Sequence, residues 1–230
     1  MKRLIAASIA FAGLGAAAQP NDVTAEYRVM NSGMTIGRVS ETFARKGDTY
    51  SIQSVTRSDG VLKPFLDDQI TVESSGRVGA LGLQPLEYSE KRLKDPKRDL
   101  KTTFDWAKGV MRTLFRGESA EVPLPRETQD RISVMYQFMN IPAYGQTLSI
   151  PMADRRKVEM FNYRLIEEGK LTTPAGEFDT RHYQRVVSDP KDTKADLWLA
   201  KDRNNFPVRL ILDDPKGFRL EQTLVDLQTR

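Results

Sequence analysis

The sequence predicts a mainly β fold: a single curved antiparallel sheet, a half-barrel or barrel of about a dozen strands, with one principal helix packed in its concave face. Three observations lead there. Apolar residues recur at every second position along most of the chain. Gly, Pro, Asn and Asp punctuate those runs at short, even intervals. One stretch, 129–140, changes to the helical period.

In the first half, Val23, Ala25, Tyr27 and Val29 alternate with Thr24, Glu26, Arg28 and Met30, the pattern of a half-buried strand. Asn31-Ser32-Gly33 turns the chain into a strand from Met34 to Arg45, and Lys46-Gly47-Asp48 into another from Thr49 to Arg57. Ser58-Asp59-Gly60 stops it, and Val61 to Asp68 reads as a loop or a single helical turn around Pro64. Strands follow at Gln69–Ser74, Leu86–Arg92, Leu100–Trp106 and Val110–Phe115, separated at Ser75-Gly76, Asp95-Pro96 and Lys108-Gly109. Glu121 to Arg126, with Pro123 and Pro125, reads as extended chain.

The helix is expected over Gln129 to Asn140. Ile132, Met135, Tyr136 and Met139 recur at i, i+3, i+4 and i+7, and Val134 and Phe138 widen the apolar arc. Thr128 or Asp130 can cap its start, and Asn140-Ile141-Pro142 ends it. A helix this apolar must be covered on most of its circumference, and the sheet is the available cover. Strands resume at Thr147–Met152, Lys157–Glu168, Glu177–Val187, Lys194–Ala200, Val208–Leu212 and Phe218–Gln228, with Gly169, Pro174-Ala175-Gly176, Asp189-Pro190, Asn204-Asn205 and Asp214-Pro215-Lys216-Gly217 between them.

Ahead of the first strand, Lys2 and Arg3 precede an apolar run from Leu4 to Leu14, and Ala16-Ala17-Ala18 leads to Gln19-Pro20. This is the layout of a secretory signal peptide cut between Ala18 and Gln19. The run is shorter than the roughly 20 apolar residues of a membrane helix, and charge soon interrupts every later one. The expected organisation is therefore a cleaved segment, 1–18, and a single β-rich domain, 19–230, soluble in the periplasm, with no transmembrane segment in the mature chain. The chain has no Cys, which excludes disulfides, thiolate metal sites and a lipid-anchoring cysteine. Its formal charge of +4, two of it from Lys2 and Arg3, does not mark a nucleic-acid binder.

Chemistry is sparse. His182 is the one histidine, so any Ser-His-Asp triad must use it, and no Gly-x-Ser-x-Gly elbow is present. The carboxylate pairs Asp67-Asp68, Glu167-Glu168 and Asp213-Asp214 are sequence neighbours, which point to opposite faces of a strand and cannot flank one bond alone. No glycine-rich phosphate loop follows a strand and opens a helix. No catalytic residue, metal or cofactor is expected. Two features remain as candidates. Lys91, Arg92, Lys94, Lys97, Arg98 and Lys101 form a dense positive run suited to anionic envelope molecules, with Arg155-Arg156-Lys157 a weaker second example. The same run also suits a solvated hairpin whose charges keep sheet edges from pairing. Met135, Tyr136, Phe138 and Met139 of the helix, with Trp106 and Trp198 from strands, are candidates to line an apolar pocket, or to form plain core.

Several local patterns resemble the exported bacterial family called domain of unknown function 3108. They are Gly33-Met34-Thr35-Ile36-Gly37, Gly82-Leu83-Gln84-Pro85 before Tyr88, Phe104-Asp105-Trp106, Asp130-Arg131-Ile132-Ser133 with Tyr136, Leu171 to Phe178, Leu197-Trp198-Leu199-Ala200, and Pro207-Val208-Arg209. The resemblance implies no established activity and supplies no catalytic residues. In architecture the chain also resembles the periplasmic and outer-membrane lipoprotein carriers, whose curved antiparallel sheet is closed by helices over an apolar cavity. The expected function is non-enzymatic binding of an apolar or amphiphilic, lipid-like envelope molecule. The alternative is an envelope assembly or scaffolding partner of another protein, with a hydrolase third.

Overall fold

The computed structural model describes residues 20–59, 69–140 and 145–230. The signal segment, with the Ala18–Gln19 junction, and the 61–68 segment lie outside the described residues. The strands are β1 (Asp22–Asn31), β2 (Met34–Lys46), β3 (Thr49–Ser58), β4 (Gln69–Gly79), β5 (Gly82–Arg92), β6 (Leu100–Asp105), β7 (Val110–Phe115), β8 (Glu118–Pro123), β9 (Thr147–Asp154), β10 (Lys157–Thr173), β11 (Gly176–Arg185), β12 (Lys194–Ala200), β13 (Phe206–Asp213) and β14 (Arg219–Thr229). They form one antiparallel sheet in the order β8-β7-β6-β5-β4-β3-β2-β1-β14-β13-β12-β11-β10-β9. Sequence neighbours pair from β1 to β8 and from β9 to β14, so two meanders run outward from a central pair, β1 and β14.

The expected period-two strands appear where the alternation is cleanest, as in β1, where Val23, Ala25, Tyr27 and Val29 are all buried. Two expected separators are corrected. Ser75-Gly76 does not separate two strands. It is a bulge inside β4, where the register shifts and a Cβ on Gly76 would lie 2.1 Å from the Gln84 carbonyl oxygen, so only glycine allows the two backbones to approach. Gly169 likewise lies inside β10, paired with Thr180. The stretch with Pro123 contributes an edge strand, β8, where Pro123 faces Val110 and no further strand needs its missing N–H.

The helix is also shorter than its apolar period suggested. The regular part, α1 (Ser133–Gln137), continues into a 3-10 turn at Phe138–Asn140. The backbone of Gln129 is extended instead and bridges the edge strand β9 in parallel: its N–H donates to Pro151 O at 2.8 Å and its carbonyl accepts from Ala153 N at 2.8 Å. The start is fixed by Asp130, whose Oδ1 accepts from the N–H groups of Ile132 (3.0 Å) and Ser133 (2.7 Å), while Ser133 Oγ accepts from Asp130 N at 2.9 Å.

The connection carrying α1 leaves edge β8 and returns at edge β9, crossing the inner face of the sheet. The two edges are also drawn together directly. Thr113 Oγ1 of β7 donates to the Arg155 carbonyl at the β9–β10 turn, and Arg156 pairs with Glu118 of β8. The sheet therefore curls toward closure without a ladder across the seam between β8 and β9.

Two apolar clusters fill the inside, and α1 stands between them. Ile132, Tyr136 and Met139 join the cluster built on β1 to β7, with Phe206 and Leu224. Val134 and Phe138 join the one built from Leu148, Ile150, Met152, Tyr183, Leu197 and Leu199. Met135 packs against both. The wide apolar arc of the helix is thus explained by cover on two sides.

Candidate functional site

The inner face beside α1 is occupied by side chains. Tyr136 and Phe138 are each 1% exposed, and the Tyr136 ring stacks on Phe43 with centroids 5.0 Å apart. Polar groups tie this plug down. Gln137 Oε1 accepts from Leu83 N at 2.6 Å and its Nε2 donates to Leu81 O at 2.8 Å, while Gln129 Nε2 donates to Leu83 O at 2.8 Å. Both glutamines therefore clamp the β4–β5 hairpin. Gly82 makes room for them: its φ is +94°, and a Cβ there would lie 2.3 Å from Gln137 Oε1.

Two carboxylates are buried in this region. Asp130, besides capping α1, accepts from Ser74 Oγ at 2.6 Å; burial pushes its carboxyl upward despite these donors. Glu41 of β2 faces inward between Val39 and Phe43 and accepts from Ser54 Oγ and from the Tyr136 hydroxyl, both at 3.2 Å. Loss of water around it outweighs these two hydrogen bonds and raises it from 4.5 to about 7. Sequence reasoning missed Glu41. The available signal was a charged residue in phase with the inward positions Val39 and Phe43.

The six aromatic and methionine candidates stand in three places. Met135, Tyr136, Phe138 and Met139 lie on the helical plug. Trp106 follows β6, donates from Nε1 to Pro85 O at 2.6 Å and stacks near Phe104. Trp198 projects on the opposite side of β12 from Leu197 and Leu199, which face Phe138. There it stacks on its cross-strand partner His182, centroids 4.1 Å apart, with the Arg209 guanidinium 5.2 Å from its ring.

His182 Nε2 lies 2.7 Å from Asp196 Oδ1, and its Nδ1 lies 3.6 Å from Glu167 Oε1. Among the described residues no hydroxyl hydrogen-bonds the ring. The other carboxylates singled out make structural pairs: Glu168 with Arg181 and Lys201, each at 2.8 Å, and Asp213 with Arg219 at 2.6 Å. Asp214 accepts from Lys216 N in a turn. Asp67 and Asp68 lie outside the described residues. Among the described residues, no cluster of three or more His, Asp or Glu could hold a metal ion, and no helix is long and apolar enough to cross a membrane.

The positive run does form a hollow. The chain from Asp95 to Asp99, with a 3-10 turn at Pro96–Arg98, borders an open groove of about 750 Å³. Lys91, Lys97, Arg98 and Lys101 line it, and the β7–β8 turn adds Arg116, which is distant in sequence. The cross-strand row Ser89, Lys101 and Leu114 forms part of its floor, with Leu114 48% exposed. Of the acids in the groove, Asp99 Oδ1 accepts from Arg92 N at 2.9 Å and Glu90 pairs with Arg92 at 2.5 Å. Arg92 is therefore spent on structure, and Lys94 is exposed outside the groove lining. Lys97, Lys101 and Arg116 make no ion pair among the described residues.

A family described as "Protein of unknown function (DUF3108)" matches residues 23–223. Among solved structures, a β-barrel-like protein of domain of unknown function DUF1849 from Brucella abortus shares the fold. It has a TM-score of 0.59 at 13% identity, covering 93% of this chain and 99% of that one. A protein with a YmcC-like fold from Bacteroides fragilis aligns at TM-score 0.39 and 10% identity, over 92% and 97% of the two chains. A domain from Vibrio parahaemolyticus described as outer membrane lipoprotein-sorting aligns at 0.28 and 10% identity, over 91% and 86%. No curated protein matches the chain.

Proposed function

The chain belongs to the DUF3108 family of proteins of unknown function, and on that premise we propose that it is a non-enzymatic periplasmic protein that binds an amphiphilic, lipid-like envelope molecule through an anionic head. The observation that carries this reading is the β5–β6 groove, where Lys97, Lys101 and Arg116 face open space beside the exposed apolar side chain of Leu114. Cations over an apolar floor match a head that is charged and a tail that is not. Tyr136 and Phe138 pack tightly on the inner face, so this reading takes the groove on the outside of the sheet as its site.

Flotation with vesicles tests the reading. The purified chain is expected to float with phosphatidylglycerol vesicles and stay behind with phosphatidylcholine ones, with binding falling as salt rises. Lys97→Glu combined with Lys101→Glu is expected to abolish it while the thermal melt stays unchanged. Equal behaviour on both vesicles, or indifference to the two substitutions, refutes the site. A second reading, an assembly partner docking on the same surface, is favoured by the burial of Tyr136 and Phe138, whose side chains themselves occupy the inner face. In-cell crosslinking from position 97 to one recurrent protein, with no vesicle binding, would select it.

A further inference from the structure

The seam between the sheet edges gathers positive charge that the fold does not neutralise. Arg116 opens the β7–β8 turn and Arg155 the β9–β10 turn. Their guanidinium carbons lie 5.3 and 4.7 Å from the centre of one ring, Phe115. Each is attracted to the ring face, but the two cations repel one another. Neither makes an ion pair among the described residues. The acids of the same hollow are engaged elsewhere: Glu118 pairs with Arg156, and Asp154 with Arg131 at 2.6 Å. The hollow is open, of about 420 Å³, and lined by Phe115, Arg116, Arg155, Arg156 and Lys157 with those two acids. Lys157 is held by Glu159 at 2.5 Å. Two guanidiniums that share one ring and line one hollow, neither of them in an ion pair among the described residues, are complementary to an anion, which the planar donor fork of arginine binds with two hydrogen bonds.

Arg116 also lines the β5–β6 groove, so the two basic hollows meet at one side chain. We propose that the seam hollow is a second anion subsite, and that the two hollows together take one lipid headgroup carrying two phosphate-type charges. This rests on the amphiphile-binding reading and deepens it. Lys97 and Lys101 hold one charge, Arg155 the other, and Arg116 reaches both. Such a ligand spans the β7–β8 and β9–β10 hairpins, the elements on either side of the open seam.

The test compares phosphatidylcholine vesicles doped with cardiolipin, which has two phosphates per head, or with phosphatidylglycerol, which has one, at equal net charge. The wild-type chain is expected to bind the cardiolipin vesicles about tenfold more tightly, the gain from one further charge-assisted contact. Arg155→Gln is expected to remove that preference, weakening cardiolipin binding far more than phosphatidylglycerol binding, and Arg155→Lys to restore part of it, which separates lost charge from lost folding. Lys97→Gln with Lys101→Gln is expected to weaken binding to both. Equal wild-type affinity for the two vesicles, or a preference that survives Arg155→Gln, overturns the second subsite and leaves the amphiphile reading standing. Binding to neither vesicle overturns both.

Discussion

Replacing Glu41 by glutamine isolates the energetic consequence of a carboxyl buried without a cation. Glu41 is 3% exposed, and among the described residues its hydrogen-bond donors are Ser54 and Tyr136. Its folded value of about 7 stands above the ordinary 4.5, so the folded chain binds the proton more tightly than the unfolded chain. The contribution to stability is accordingly full below about pH 4.5 and is lost as pH rises through 7. The rise from 4.5 to about 7, at about 1.4 kcal/mol per pH unit, makes the loss about 3 kcal/mol by pH 9. Glutamine is an uncharged isostere of the protonated acid. The Glu41→Gln variant should therefore match wild type near pH 4 and exceed it by about 3 kcal/mol at pH 9, or about 6 to 12 °C in Tm for a chain of this size. Urea unfolding of both proteins from pH 4 to 9 measures the difference, and subtraction removes every other titrating group. A difference that stays flat across that range refutes the reasoning. Tyr136→Phe removes a donor that favours the charged form, so it should shift the same transition to higher pH.

Other substitutions probe the plug and the groove. Gly82→Ala places a Cβ against the Gln137 carboxamide at a left-handed φ, and should cost about 2 to 3 kcal/mol in urea unfolding through strain and the lost clamp on Leu81 and Leu83. Phe138→Ala empties the cluster between α1 and β9–β12 and should cost about 3 to 5 kcal/mol by the same measurement. Arg92→Gln leaves Glu90, a side chain only 11% exposed, without its cation, and should cost about 2 kcal/mol at neutral pH; a surface-like cost near zero would show the pair to be incidental.

Much of the sheet is legible in the alternation of residues such as Val23 to Met30, because one face of each strand is buried. What escapes is decided by partners far along the chain. Ser75-Gly76 carries a turn-like composition, yet its glycine answers to the backbone of Gln84 across the ladder. Gln129 has a helical neighbourhood, yet its backbone is claimed by Pro151 and Ala153. Proline in the stretch around Pro123 argues against a central strand, and the edge position of β8 is a property of the whole topology. In the site, Lys91 to Lys101 and Arg155 to Lys157 were visible as separate charge runs. Their approach to a common end of the sheet through Arg116 depends on the curl that brings the β7–β8 and β9–β10 turns together.

The pairing of β1 with β14 has a consequence for how the protein is made. Residues 22–31 and 219–229 form the middle of the strand order, and the main chain of Asn21 and Asp22 bonds that of Arg230. Each meander zips locally, hairpin by hairpin, but the strand pair that unites them has the greatest sequence separation in the molecule. Such non-local pairing is slow, because the closure entropy of nearly the whole chain is spent before any contact repays it. Until β14 arrives, β1 presents a bare ladder edge to any neighbouring chain. Synthesis proceeds amino end first, so β1 keeps that edge until its last partner strand is made. The β1–β14 ladder is therefore the last pairing that the sheet can complete.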